Sequence, residues 1–191
     1  MTKTTTNPIS LEDFLALPET KPASEYVDKK VSQKPMAQGE HSRLQVALAP
    51  AINSALKEKR VGAAFIELRC TFGNISIVPD ISVFVLDRIP RKSNGRVDNA
   101  FLIPPDWTIE ILSPGQGYKK DNKKILRCLD HGTVMGWLID PSEDAVYVYL
   151  PDQPPAIYDL VDNTPETPLP VPDFAKAFSL TIGELIAWLV L

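Results

Sequence analysis

The sequence predicts an α/β fold, and three observations carry that prediction. Short apolar segments with strand-like spacing recur at residues 63–72, 75–85, 107–112, 135–139 and 145–150. Two longer stretches, 39–59 and 119–131, have helical periodicity instead. The chain has 191 residues and no internal repeat, enough for one core and short for two. Strands interspersed with helices suit one sheet domain spanning residues 1–191, because a sheet buries its apolar faces under helices.

The elements follow in order. Residues 1–10 are polar and Thr-rich and read as a loose lead-in. Ser10 is a helix N-cap with Asp13 three residues on, and Pro18 stops that first helix. Residues 25–28 and 31–34 read as two short strands around Lys29-Lys30. In 39–59, Leu44, Leu48, Ile52, Ala55 and Leu56 form one stripe, and Pro50 predicts a kink or a break. Gly73-Asn74 predicts a two-residue turn of type II′ joining the next two strands. Residues 88–99 are a polar surface loop. In 119–131 the inner face is Ile125, Leu126, Cys128 and Leu129, and Gly132 is a natural stop. The Pro-rich stretch 152–173 reads as irregular. Thr181 with Glu184 caps a final helix over 182–189.

Composition limits the function classes. The 44% apolar and 23% charged shares are those of an ordinary globular protein. No stretch approaches the ~18 apolar residues of a membrane span, and the first residues lack a signal-peptide core, so a cytoplasmic protein without membrane partners is expected. Two cysteines, Cys70 and Cys128, make no disulfide framework; each sits in an apolar pattern and reads as a small buried hydrophobe. A net charge of −4 argues against a general nucleic-acid coat protein but not against an enzyme with a local basic strip.

The chemistry concentrates in two apolar strands that each carry one acid. Asp80 lies in Ile75-Ser-Ile-Val-Pro-Asp-Ile-Ser-Val-Phe, and Glu110 lies in Trp107-Thr-Ile-Glu-Ile-Leu. A buried ionised carboxylate costs several kcal/mol without a partner or cation. Two such groups on adjacent strands make a hard oxygen site of the kind Mg²⁺ uses. Either acid alone also fits a turn or a solvent-facing edge; the pair is the better signal. If Gly73-Asn74 is the turn, facing residues sum to 147 and Glu67 lies opposite Asp80. Two facing carboxylates repel unless a cation lies between them or one is protonated. Lys120 and Lys124, four apart, share a helical face just after the Glu110 strand, with Lys123 beside them. A solvated helix face is the competing reading for these lysines. His41 opens the helix at 39–59, where it could touch substrate or simply pack. Arg91, in the polar loop, is a candidate phosphate contact.

Taken together, Leu11-Glu-Asp-Phe-Leu-Ala-Leu, Glu25-Tyr-Val-Asp, Glu40-His-Ser-Arg-Leu, Val78-Pro-Asp-Ile-Ser-Val, Trp107-Thr-Ile-Glu-Ile-Leu-Ser-Pro and His131-Gly-Thr-Val-Met-Gly-Trp-Leu-Ile-Asp-Pro resemble the Uma-two-type restriction endonucleases of the PD-(D/E)XK nuclease superfamily. The resemblance covers about residues 11–150 and rests on the order and spacing of the pieces. It implies a restriction-endonuclease-like fold, a central mixed β-sheet flanked by α-helices, and hydrolysis of DNA phosphodiester bonds assisted by Mg²⁺, with Mn²⁺ as the other candidate ion; a homodimer is expected as well, although neither the residues nor the resemblance derive it. It makes Asp80 and Glu110 the motif acids; the mechanism expected on them has Asp80, Glu110 and the Ile111 carbonyl hold Mg²⁺, with a second ion if Glu67 joins. The motif lysine is absent, since Leu112 stands two residues after Glu110. The resemblance implies that the following helix supplies it, from Lys120 or Lys124, with Lys120 nearer the strand end. The missing lysine and the acidic balance support an alternative: a catalytically inactive binding or assembly module on the same fold.

Overall fold

The structure is a computed structural model and describes residues 9–115 and 117–190. Most of the polar lead-in, Gln116 and Leu191 lie outside the described residues. A six-stranded mixed sheet of order β10-β9-β8-β7-β6-β3 is the centre of the fold, and a four-stranded antiparallel sheet of order β2-β1-β5-β4 lies beside it. The strands are β1 Ser24–Val27, β2 Lys30–Gln33, β3 Gly62–Ile66, β4 Cys70–Phe72, β5 Ile75–Ile77, β6 Ile81–Val85, β7 Trp107–Ile111, β8 Met135–Asp140, β9 Ala145–Tyr149 and β10 Ala156–Tyr158. The helices are α1 Leu11–Leu15, α2 Gly39–Lys59, α3 Tyr118–Leu129 and α4 Ile182–Ala187. The parallel pair is β7 and β8, bridged by α3, as a βαβ connection requires.

One long hairpin builds both sheets. Its tip, β4–β5, and its base, β3–β6, keep one register: Cys70 faces Ile77 and Ile66 faces Ile81. The predicted pairing sum therefore holds in both parts. Between tip and base, residues 67–69 and 78–80 leave the ladder, and the hairpin passes there from one sheet to the other. Pro79, which has no N–H to donate, lies within that break. Gly73 and Asn74 both have positive φ, +49° and +66°. The turn is thus type I′ rather than II′, which matches the twist of the flanking strands equally well. A Cβ at Gly73 would collide with the His131 ring, so glycine is required there by space as well as by φ.

The two faces of the central sheet are divided by strand alternation. Trp107, Ile109 and Ile111 of β7 and Met135, Trp137 and Ile139 of β8 pack with Leu44, Leu48, Ile52 and Leu56 of α2. The opposite face receives α3 through Ile125, which packs with Leu138 and Tyr149. Glu110 has the parity of this second face and so points toward α3.

Several expectations need correction. Helix α2 runs unbroken through Pro50. Pro50 is exposed, so the carbonyl it leaves unpaired faces water, while the buried stripe on the other side holds the helix to the sheet. The first hairpin turns at Asp28-Lys29, one residue earlier than expected, with positive φ at both positions. Leu126 is exposed, and the inner face of α3 includes Asp121 and Lys124. The Pro-rich stretch contains β10, an edge strand of the main sheet. Helix α4 ends at Ala187, and Ile186, Trp188 and Leu189 pack against the main core. The capping boxes of α1 and α4 are present as predicted, and both cysteines are free and buried. Among the described residues, no helix is long and apolar enough to cross a membrane.

Candidate active site

The break in the long hairpin opens a pocket of about 340 Å³ lined by Lys34, His41, Gln45, Glu67, Asp80, Glu110, Ile111, Lys120 and Lys124, among others. Asp80 lies one residue before β6. The β6–β7 register, Ile81 facing Ile109, continued by one residue, puts Asp80 opposite Glu110. Both are almost fully buried. The Ile111 N–H donates to Asp80 Oδ2 at 2.7 Å, so the contact from Ile111 to the acid runs through its amide. The Lys34 ammonium lies 2.6 Å from Asp80 Oδ1 and 2.9 Å from Glu67 Oε1. Of the two ways to relieve repulsion between these facing carboxylates, a cation between them or protonation of one, the Lys34 ammonium supplies the first.

The second half of the cluster is built by α3. Lys124 Nζ donates to Glu110 Oε2 at 2.8 Å and to Glu25 Oε1 at 2.9 Å, with Asp121 Oδ1 at 3.4 Å. Lys120, one turn earlier and partly exposed, pairs instead with Glu25 Oε2 at 3.1 Å. The two lysines do share a face, but Lys124 is the one on Glu110. The Val78 N–H also donates to Glu25, which fixes this carboxylate between strand and helix. His41 Nε2 lies 3.3 Å from Asp80 Oδ1, within ion-pair reach though off the line of a hydrogen bond, and Ser113 Oγ is 3.3 Å from His41 Nδ1. Gln45 donates to the Asp80 carbonyl and to Glu67. Lys123 is exposed and lines a neighbouring groove with Lys30, Lys119 and Lys120. Arg91 lies outside the pocket, beside Asn53, Lys57 and Arg60.

The electrostatics divide the acids. Burial alone would raise the Asp80 carboxyl, but the His41 contact and the Lys34 ammonium outweigh it and hold it well below the carboxylate range. Burial would also raise Glu25; Lys124, Lys120 and the Val78 N–H bring it down to about 2. Glu110 goes the other way. Complete burial pushes its carboxyl up, and Asp80 and Asp121 add to this beyond what Lys124 offsets. Lys124 is held charged, well above the ordinary lysine range, by the carboxylates around it despite burial. Glu25 therefore makes a prediction. Its folded value lies below its ordinary 4.5, so its contribution is present above about pH 4.5 and is lost as pH falls toward about 2. Denaturant titrations should show Glu25→Gln losing on the order of 3 kcal/mol less than wild type across that window.

Glu25, Lys34, Gln45 and Asp121 are members of the site that sequence reasoning missed. Glu25 sat in a quoted strand without a role. Strict alternation fails in β1, where Glu25 and Tyr26 are both buried: Tyr26 stacks on Phe14 while Glu25 faces α3. An acid in a short strand with an aromatic neighbour was the available signal. Lys34 gave none, since its partners lie 33 and 46 residues away.

The profile of the Uma2 family, described as "Putative restriction endonuclease", matches residues 11–183. The chain belongs to the Uma2 family. This Uma2 protein is also similar to the crystal structure of "a putative nuclease belonging to DUF820" from Anabaena variabilis ATCC 29413. The two are 55% identical with a TM-score of 0.92, over 96% of this chain and 100% of that one. No curated protein matches it. The fold is thus that of a nuclease relative, and the acidic pocket of this Uma2 protein is its candidate active site.

Does a divalent cation fit here? Glu110 Oε1 is buried and has no hydrogen-bond partner among the described residues. Five carboxylates (Glu25, Glu67, Asp80, Glu110, Asp121) surround three ammonium groups (Lys34, Lys120, Lys124). With Glu110 neutral, as its burial favours, one negative charge remains; a cation that ionises Glu110 brings the excess to two. One ligand atom each from His41, Glu67 and Asp80 lie within 4.8 Å of one another. The donors are mostly hard oxygens, and the excess charge is that of one divalent ion. The residues fit.

Proposed function

We propose that this pocket hydrolyses DNA phosphodiester bonds with Mg²⁺, or Mn²⁺, held by Asp80 and Glu110, with Glu67 at the rim as a further ligand. The observation that carries the reading is the orphaned Oε1 of Glu110, buried opposite Asp80 in a pocket with more acids than cations. When bound, such an ion supplies Lewis acidity, lowering the pKa of a water and withdrawing charge from the scissile phosphate. The protein's own groups do the rest. Lys124 holds Glu110 in place through one donor and Glu25 through another, and its fixed charge offsets negative charge developing on the phosphate. Lys120, partly exposed on the same face, is the cation that reaches a phosphate at the pocket mouth. His41 and the Ile111 N–H fix the two oxygens of Asp80. Lys123, Lys119 and Lys30 along the adjoining groove supply the local basic strip that an acidic nuclease needs for the DNA backbone. Cleavage of both strands would use two copies of the pocket, so a homodimer belongs to this reading, and sedimentation measures it.

One observation favours the alternative of an inactive binding module: Lys34 and Lys124 already neutralise much of the cluster. Metal binding separates the two readings. Thermal melts with free Mg²⁺ at a hundred times its Kd should gain about 2.7 kcal/mol, or roughly 5–10 °C for a chain of this size. Asp80→Ala should lose that gain. No shift in the wild type would favour the binding module.

A further inference from the structure

Lys34 is the one cation of the cluster to which the proposed reaction gives no task. Three oxygens converge on its ammonium: Asp80 Oδ1 at 2.6 Å, Glu67 Oε1 at 2.9 Å and the Val78 carbonyl at 2.9 Å. An ammonium has three donors, so its hydrogen-bonding capacity is filled at this one place. Two of its three partners, Asp80 and Glu67, are also the two side chains grouped with His41 as potential ion ligands. A divalent ion on those carboxylates competes with the ammonium for the same oxygens. We infer that Lys34 is a tethered cation that fills the ion seat of the metal-free protein and has to leave it when a divalent ion enters, so that this side chain sets the affinity of the site for metal. The inference rests on the metal-dependent reading above and deepens it.

The geometry separates Lys34 from the cluster's other buried ammonium. Lys124 sits on the inner face of α3 among Glu25, Glu110 and Asp121, with its side chain 3% exposed, and neither Glu25 nor Asp121 belongs to the group with His41. Lys34 stands at the end of β2, where its N–H donates to the Ala23 carbonyl. That bond holds the backbone and leaves the side chain to move. Its side chain is 9% exposed, and Pro35, Met36 and Ala37, which follow it, line the same pocket. Met36 is 70% exposed, so solvent reaches the rim beside the lysine stem. A lysine stem has four rotatable bonds and a compact charge, which suits it to swing out along this rim. In the metal-free protein the same ammonium keeps Asp80 and Glu67 from repelling each other.

Competition of this kind weakens metal binding by the fraction of molecules whose seat is open. Removing the tethered charge should therefore tighten it. Calorimetric titration of the full chain with Mn²⁺ should give Lys34→Met a Kd lower than wild type by about tenfold or more. A Kd equal to wild type, or weaker, would overturn the inference while leaving the metal reading intact. No binding to either protein would overturn the metal reading and the inference with it. A second measurement uses only the wild type. Acylation of lysines with acetic anhydride, read by mass spectrometry, should find Lys34 protected without metal and modified severalfold faster once calorimetry shows Mn²⁺ bound. Equal protection in the metal-bound protein would also overturn the inference.

Discussion

Glu110→Gln and Asp80→Ala are each expected to lower Mg²⁺-dependent DNA cleavage about a thousandfold, a loss of roughly 4 kcal/mol of transition-state stabilisation. The two acids face each other across β6 and β7, and the reading gives both the same ion. Glu110→Gln is the sharper test. It keeps the shape of the side chain and leaves Lys124 with Glu25 and Asp121 as partners, so the variant should fold. Burial already drives Glu110 toward its neutral form in the absence of metal, so a neutral amide is compatible with that state. Loss of cleavage with an unchanged melt would assign Glu110 to the chemistry. Retained cleavage would remove it from the site.

Lys124→Met carries the second large effect, and here the loss is in folding. Lys124 is 2% exposed, and its ammonium is the shared partner of two buried carboxylates, Glu25 and Glu110. Removing it leaves those charges with little compensation. Breaking a buried pair in this way costs about 3–5 kcal/mol, so Tm should fall by on the order of 10 °C. Lys120→Met, at the exposed rim, should change Tm by a small fraction of that. Melting curves of the two variants side by side make the comparison. Equal Tm values would show that the buried network does not depend on Lys124.

How much of this was legible in the sequence depends on how locally each feature is specified. The acids Asp80 and Glu110 were readable because an ionisable residue inside an apolar strand is conspicuous. Glu67 followed from arithmetic, since Gly73-Asn74 pins a hairpin whose register holds from Phe72 and Ile75 to Gly62 and Val85. Most strands of the central sheet, α2 and α3 were likewise written in periodicity, whereas the mixed character of the sheet came only from the family resemblance. Pro50 misled because its cost depends on whether the freed carbonyl meets water, and the sequence does not say which way it faces. Leu126 misled because the inner face of α3 is given over partly to Asp121 and Lys124, so apolar character no longer marks burial there. The expectation of an irregular stretch missed β10, whose short edge pairing with β9 needs no apolar pattern of its own. Glu25 and Lys34 were hidden for a different reason. They reach the site because β1 pairs with β5, Tyr26 facing Ser76, which carries the first hairpin onto the tip of the long one. That contact spans 50 residues of chain, and no local pattern announces it.

The pocket around Asp80 and Glu110 is expected to cut DNA with a divalent ion. Incubation of the full wild-type chain with supercoiled plasmid, in Mg²⁺ or Mn²⁺ and again with EDTA, tests it most directly. Nicked or linear DNA is expected in the presence of either metal, and intact supercoils with EDTA. Intact plasmid under every condition, or cleavage that EDTA leaves untouched, would contradict it.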